Sequence, residues 1–147
     1  MMRRVETGEK HVGEVPLHLF QGSAFKEKRY LDVTLEIVLE GVEALKIERR
    51  EPLHVCTGYV LSKARDELVA RGYNVVHVKI TGGTQDLAER EFISSLVKLG
   101  VGDTFMVSGM RSYDAFLAWI REHLENRERF VKTGWSAWPR LREESET

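Results

Sequence analysis

The chain has 147 residues, 42% hydrophobic and 31% charged, with a formal net charge of -1. A single cysteine, Cys56, excludes a disulfide framework, a zinc finger and a dithiol pair. The longest apolar runs, such as Phe116 to Trp119, fall far short of the roughly 20 residues that cross a bilayer. The Met1-Met2-Arg3-Arg4 start leads into polar sequence rather than an apolar signal core, so a cytoplasmic protein with no membrane partner is expected. Only Gln21, Gln85, Asn74 and Asn126 stand beside 22 Lys+Arg and 23 Asp+Glu, the balance of proteins from hot-adapted organisms. A pI near 6.5 supplies no global positive field, so any nucleic-acid role must be local.

In chain order, residues 1–14 form either an edge hairpin, through Arg4-Val5 and His11-Val12 with a turn at Thr7-Gly8-Glu9, or a loose arm. Residues 15–20 read as a short strand ended by Gln21-Gly22-Ser23. From 28 to 46, Leu31, Leu35, Val38, Val42 and Leu45 recur at intervals of three and four, which predicts a helix with one apolar face. Pro52 opens a strand over 53–57, and residues 60–71 form a helix capped by Gly72. A third strand spans 75–80, followed by the loop Thr81-Gly82-Gly83-Thr84, a helix over 85–99 and Gly100. A fourth strand is expected at 104–107. Ser112 caps a last helix carrying Phe116, Trp119, Ile120 and Leu124. The expected class is therefore α/β: a mostly parallel central sheet of four to five strands with helices packed on it in βαβαβα order. Residues 1–126 make one domain and 127–147 a C-terminal extension that packs on it or on a partner.

Every expected strand ends in a small, glycine-bearing turn. At the carboxyl edge of a parallel sheet such turns form a rim where helix starts attract anions. This makes Gly22, Ser23, Thr57, Gly58, Thr81, Gly82, Gly83, Thr84, Ser108 and Arg111 candidates for binding a nucleotide or phosphometabolite. Arg111 is the preferred clamp, because a guanidinium grips phosphate with two parallel bonds. The bland reading is that glycine is simply the least strained residue at a strand-to-helix turn. No GxGxxG or Walker-type lysine motif occurs. His18, His54 and His77 hold matching places in three expected strands, a geometry that could make a three-His metal site. No carboxylate lies beside them in sequence, so a partly covered sheet face is favoured and no metal is expected. Cys56 reads as a buried, unreactive thiol.

The run Leu19-Phe20-Gln21-Gly22-Ser23, the helix end Val42-Glu43-Ala44-Leu45-Lys46, Val55-Cys56-Thr57-Gly58-Tyr59-Val60 and His77-Val78-Lys79 with its glycine-rich loop together resemble the ribonuclease H-like fold over residues 15–96. That resemblance implies two-metal phosphodiester chemistry with Mg or Mn held by carboxylates. Gln21 stands where the family has its strand-one acid, and Thr57-Gly58 where it has Thr-Asp. The resemblance therefore implies a relative that is not a working nuclease, unless Asp32, Glu36, Asp86 and Glu89, with Glu91 beside them, converge on metal. Solvated helix surface is the alternative for these acids.

Between Arg127 and Arg142, five basic residues and one acidic residue interleave with Phe130, Trp135 and Trp138. Arg129, Lys132, Trp135 and Trp138 could grip a nucleic-acid single strand by charge and stacking. Alternatively the indoles pack into the core or a dimer partner. Three functional expectations follow: a nucleic-acid-associated ribonuclease H-like protein, a nucleotide- or phosphometabolite-binding module, or a homo-oligomeric interaction domain.

Overall fold

The computed structural model describes residues 1–110 and 112–146, without the side chain of Phe105. Helix and 3-10 turns account for 59% of the chain and strand for 10%. The expected central sheet of four to five strands is thus corrected to two separate two-stranded sheets among the described residues. The chain divides into two compact units, residues 1–16 with 28–88, and residues 17–27 with 89–147. Among the described residues no helix is long and apolar enough to cross a membrane.

The first unit opens with an antiparallel hairpin, β1 (Met2–Arg3) and β2 (Lys10–His11), in which Met2 faces His11 and Arg3 faces Lys10. Its loop is closed by the Arg4 carbonyl accepting from Gly8 N–H and the Glu9 carbonyl from Arg4 N–H, both at 2.8 Å. The hairpin alternative therefore holds, with its pairing two residues earlier on the first strand than expected. It lies close against α1 (Arg29–Ala44), where a Cβ on Gly41 would strike the Met2 sulfur and meet His11 Cδ2 at 3.0 Å.

Helix α1 forms where the three-and-four spacing placed it, and buries Val38 and Val42. The parallel pair β3 (Pro52–Cys56) and β4 (Asn74–Val78) is joined by a 3-10 turn, Tyr59–Leu61, and α2 (Ser62–Ala70). Val38, Val42, Ala64 and Leu68 make the core, with Leu53, Val55 and Val75 packed against it. One apolar face of the strand pair is thus covered by two helices, which is why these four elements follow their sequence periods.

Three helix ends share one device. Gly72 (φ 82°) and Gly100 (φ 85°) adopt the left-handed conformation and let Tyr73 and Val101 donate back to Leu68 and Leu96 carbonyls. After α1 the same bonds form, Lys46 N–H to Glu43 and Ile47 N–H to Val42, yet the left-handed residue is Lys46 (φ 50°). A side chain there is strained where glycine is not.

The α3 helix (Gly83–Lys98) contributes residues to both units. In the second unit follow α4 (Thr104–Gly109), α5 (Tyr113–Glu122), α6 (Leu124–Arg127), a 3-10 turn at Glu128–Phe130, and α7 (Trp138–Glu146). Ser112 caps α5 as expected, its Oγ accepting from Ala115 N–H at 3.1 Å.

Two expected strands are corrected to helical turns. Residues 17–20 and 22–27 are 3-10 helices. Their polar groups find partners in the later chain: the Gln21 side-chain amide donates to the Arg129 and Val131 carbonyls at 2.9 Å, Gly22 N–H to Thr133 Oγ1, and Gly134 N–H to the Phe20 carbonyl. With those bonds supplied by a loop, no sheet ladder is required. Residues 104–107 lie in α4 because Asp103 caps it, Oδ1 accepting from Met106 N–H at 2.8 Å. A short apolar run cannot separate strand from buried helix by periodicity, and the Asp-Thr cap signal decides it.

Candidate functional site

The expected rim of four turns is reduced to two. Thr57-Gly58 and the loop 79–82 stand side by side at the carboxyl edge of the parallel pair, since Cys56 is in register with Val78. Gly22 and Ser23 belong instead to a 3-10 helix of the second unit, and Ser108 to α4. Arg111 lies outside the described residues. Of the two turns, the first is engaged from below: Arg65 Nη1 donates to the Cys56 carbonyl at 2.6 Å and the Gly58 carbonyl at 2.9 Å.

The second turn is open. The carbonyl of Gly82 (φ 68°) accepts from Asp86 N–H at 3.0 Å and so starts α3, and Gly82 brings no side chain of its own to the first turn. Thr81, Gly82 and Gly83 are exposed and Thr84 half-buried. Gly83 leaves room for a neighbour: the Arg3 guanidinium Nη1 lies 3.1 Å from where its Cβ would sit. Arg3 was not singled out in the sequence, because nothing local to Met1-Met2-Arg3-Arg4 signals that the hairpin carries it to the α3 start.

Arg3 and Arg4 are adjacent in the chain and have opposite surroundings. Arg4 Nη1 and Nη2 donate to both Glu51 carboxylate oxygens at 3.0 and 3.2 Å, and Nη2 donates to the Leu45 carbonyl at 2.8 Å, at the negative end of α1. Those hydrogen bonds hold the Glu51 carboxyl below the usual carboxylate range and raise Arg4 further. Arg3 makes no ion pair and no side-chain hydrogen bond among the described residues, and its Nε is buried without an acceptor. It also stands at the positive end of a helix. A full and a half charge about 4 Å apart repel by roughly 0.5 kcal/mol in water and roughly 2 kcal/mol near a protein surface.

The other candidates separate. Register and alternation put His77 on the face shared by Leu53, Val55 and Val75, and His54 on the opposite face with Cys56, Val76 and Val78. His18 sits in a 3-10 helix of the second unit. The three-His geometry is therefore corrected: these side chains have no common face. Cys56 is a half-buried free thiol. Asp32 pairs with Lys63. Glu36, one turn along α1 from Asp32, lines a cleft of about 530 Å³ with Glu40, Glu43, Lys46, Arg71 and Tyr73, which Asp32 does not line. Asp86 and Glu89 are neighbours three residues apart on α3, and Glu91 lies on the same helix. No group of three or more His, Cys, Asp or Glu suited to a metal ion occurs among the described residues.

In the tail, Trp138 is 5% exposed and belongs to the core, its Nε1 donating to Glu128 Oε1 at 2.9 Å. Trp135 is 46% exposed. Arg129 and Lys132 are exposed, resting over the Phe130 and Phe20 rings at 4.7 and 4.5 Å. Of the four residues expected to grip a single strand, three thus remain at the surface.

No family model, no curated protein and no solved structure matches this chain.

Proposed function

We propose that the protein binds a phosphorylated small molecule, a nucleotide or phosphometabolite, at the start of α3. The reading rests on one observation: the Arg3 guanidinium, unpaired among the described residues and with a buried Nε lacking an acceptor, is set against the start of α3, where Gly82 brings no side chain of its own. A phosphate between them accepts from both, turning a repulsive pair into two favourable contacts. The Thr81 and Thr84 hydroxyls stand at the same turn, where parallel pairs hold ligands at their carboxyl edge. The family's metal chemistry has no support in the placement of the acids, and a phosphodiesterase is not part of this reading.

The experiment is calorimetric titration of the full chain with inorganic phosphate and with nucleotides, alongside melting curves. Phosphate raises the melting temperature by mass action. Arg3→Met keeps the apolar stem but loses the charge, and abolishes binding without lowering the melting temperature of the phosphate-free protein. Equal phosphate affinity in Arg3→Met overturns the proposal.

A further inference from the structure

The second unit presents a different surface, built by the loop after α6. Its backbone is held from several directions. Gln21 donates its side-chain amide to two of its carbonyls, Gly22 N–H binds Thr133, and Gly134 N–H binds the Phe20 carbonyl. A Cβ on Gly134 would collide with Phe25 and come within 3.0 Å of that carbonyl, so the loop is seated as closely as backbone allows. Beyond it, Trp138 is buried. A segment fixed at both ends presents its remaining side chains in a defined arrangement, and little ordering entropy is left to lose on binding.

What it presents is aromatic and cationic. Trp135 meets Tyr113 edge to face with ring centroids 6.2 Å apart, and the two are 46% and 55% exposed. Exposure of two large rings side by side is uncommon on a surface without a binding role. The basic residues nearby divide sharply. Arg127 is consumed by Glu122, the Trp119 carbonyl and the Trp119 ring. Arg140 pairs with Glu144, and Arg142 with Glu128 and Glu146. Arg129 and Lys132 alone among these five have no carboxylate partner among the described residues. They precede Trp135 by six and three positions, on the segment the loop bonds hold in place. An apolar protein partner would require no un-neutralised cations beside the rings. A duplex would offer its phosphates but keep its bases stacked away from an indole. A single strand offers both a charged backbone and free base faces, which the paired features match.

We infer that this loop binds single-stranded nucleic acid without base-edge readout, Trp135 and Tyr113 stacking on bases while Arg129 and Lys132 contact phosphates. The site is independent of the one at α3. With two free cations the salt dependence is shallow: the slope of log affinity against log salt is about -1.4, from roughly 0.7 per neutralised phosphate. Losing one stacked base weakens binding about 5- to 150-fold, the equivalent of 1–3 kcal/mol.

The test is fluorescence anisotropy of end-labelled dT12 and U12 oligonucleotides, titrated with the full chain at several salt concentrations. The same oligonucleotide in a duplex serves as competitor. Binding of either single strand is expected, with a shallow slope, weak competition by duplex and a 5- to 150-fold loss in Trp135→Ala. Because Trp135 is half exposed, that variant keeps its fold, which far-UV circular dichroism verifies. Lys132→Ala provides a second variant, expected to reduce the salt slope by about 0.7. Arg3→Met is expected to bind the oligonucleotides as the parent chain does, so failure of the phosphate site and failure of this one read out separately. The inference is overturned by no binding at low salt, by equal affinity for duplex, or by unchanged affinity in Trp135→Ala. Loss of a dimer in Trp135→Ala without oligonucleotide binding also overturns it and makes the rings a self-association surface.

Discussion

The first unit is held together by regular elements and the second by a loop. Val38, Val42, Ala64 and Leu68 lie one or two helical turns apart on α1 and α2 and meet the inner face of β3 and β4. Among the described residues, the buried hydrophobic side chains of the second unit, Leu19, Val101, Val107, Ile120 and Trp138, come from five separate stretches, and two of those are a 3-10 turn and a helix of six residues. Where a core comes from long periodic elements, each buried side chain contributes transfer and packing energy at a known place. Where it comes from short pieces, side-chain-to-backbone bonds such as those of Gln21 set the arrangement. The difference extends to the sites. In the first unit a guanidinium meets a helix end set by the sheet, whereas in the second the cations and rings stand on a loop held by its neighbours.

All three tryptophans and Tyr113 belong to the second unit, and Tyr30, Tyr59 and Tyr73 to the first, so in a Tyr113→Phe background the two regions can be followed separately. The largest effect comes from Leu68→Ala, which empties a fully buried position and costs about 2–5 kcal/mol. Urea unfolding followed by tyrosine and tryptophan emission tests it. A loss confined to the tyrosine signal sharpens the division, and equal shifts in both probes break it by showing one cooperative transition.

A smaller effect, about 1–3 kcal/mol, is expected of Gly134→Ala, whose added methyl meets Phe25 and the Phe20 carbonyl. Here the tryptophan signal moves and the tyrosine signal does not. An unchanged midpoint would mean that the loop yields without cost and that its bonds to residues 20–22 do not organise the unit.

The smallest effect concerns the Arg4–Glu51 link. Because Glu51 has a lowered folded value, its contribution is present above the ordinary carboxylate value of about 4.3 and is lost as pH falls through that lowered value. Melting temperature between pH 7 and 3 should fall less steeply at the acid end in Glu51→Gln than in the parent chain. The Arg4 and Glu51 side chains are half-buried and still reached by solvent, which screens the pair, so the effect is modest.

Helix α1, the β3-α2-β4 unit, α3 and the Ser112 cap of α5 were legible because each depends on residues close in sequence: apolar spacing, a capping hydroxyl, glycine after a last turn. The same local logic failed at 15–20 and 104–107. Val15, Leu17 and Leu19 alternate as a strand does, but the chain there finds its partners more than a hundred residues later: the Phe20 carbonyl accepts from Gly134 N–H, and the adjoining Gln21 side chain and Gly22 N–H donate to the Arg129 and Val131 carbonyls and to Thr133 Oγ1. At 104–107 the apolar run reads as strand by itself, and the Asp103 cap on Met106 N–H makes it the start of a helix. Lys46 likewise holds a left-handed position where glycine would be sought.

For the sites, the amino-acid order alone determined that the Thr81-Gly82-Gly83-Thr84 turn precedes a helix, and that Arg129, Lys132 and Trp135 share one short segment. Only the tertiary structure decided that Arg3 reaches that turn while Arg4 is consumed, that Trp138 is core and Trp135 surface, and that His54 and His77 point to opposite faces. Periodicity and capping act through neighbours a few residues apart, whereas burial, pairing and the charge a side chain meets depend on contacts between residues distant in the chain.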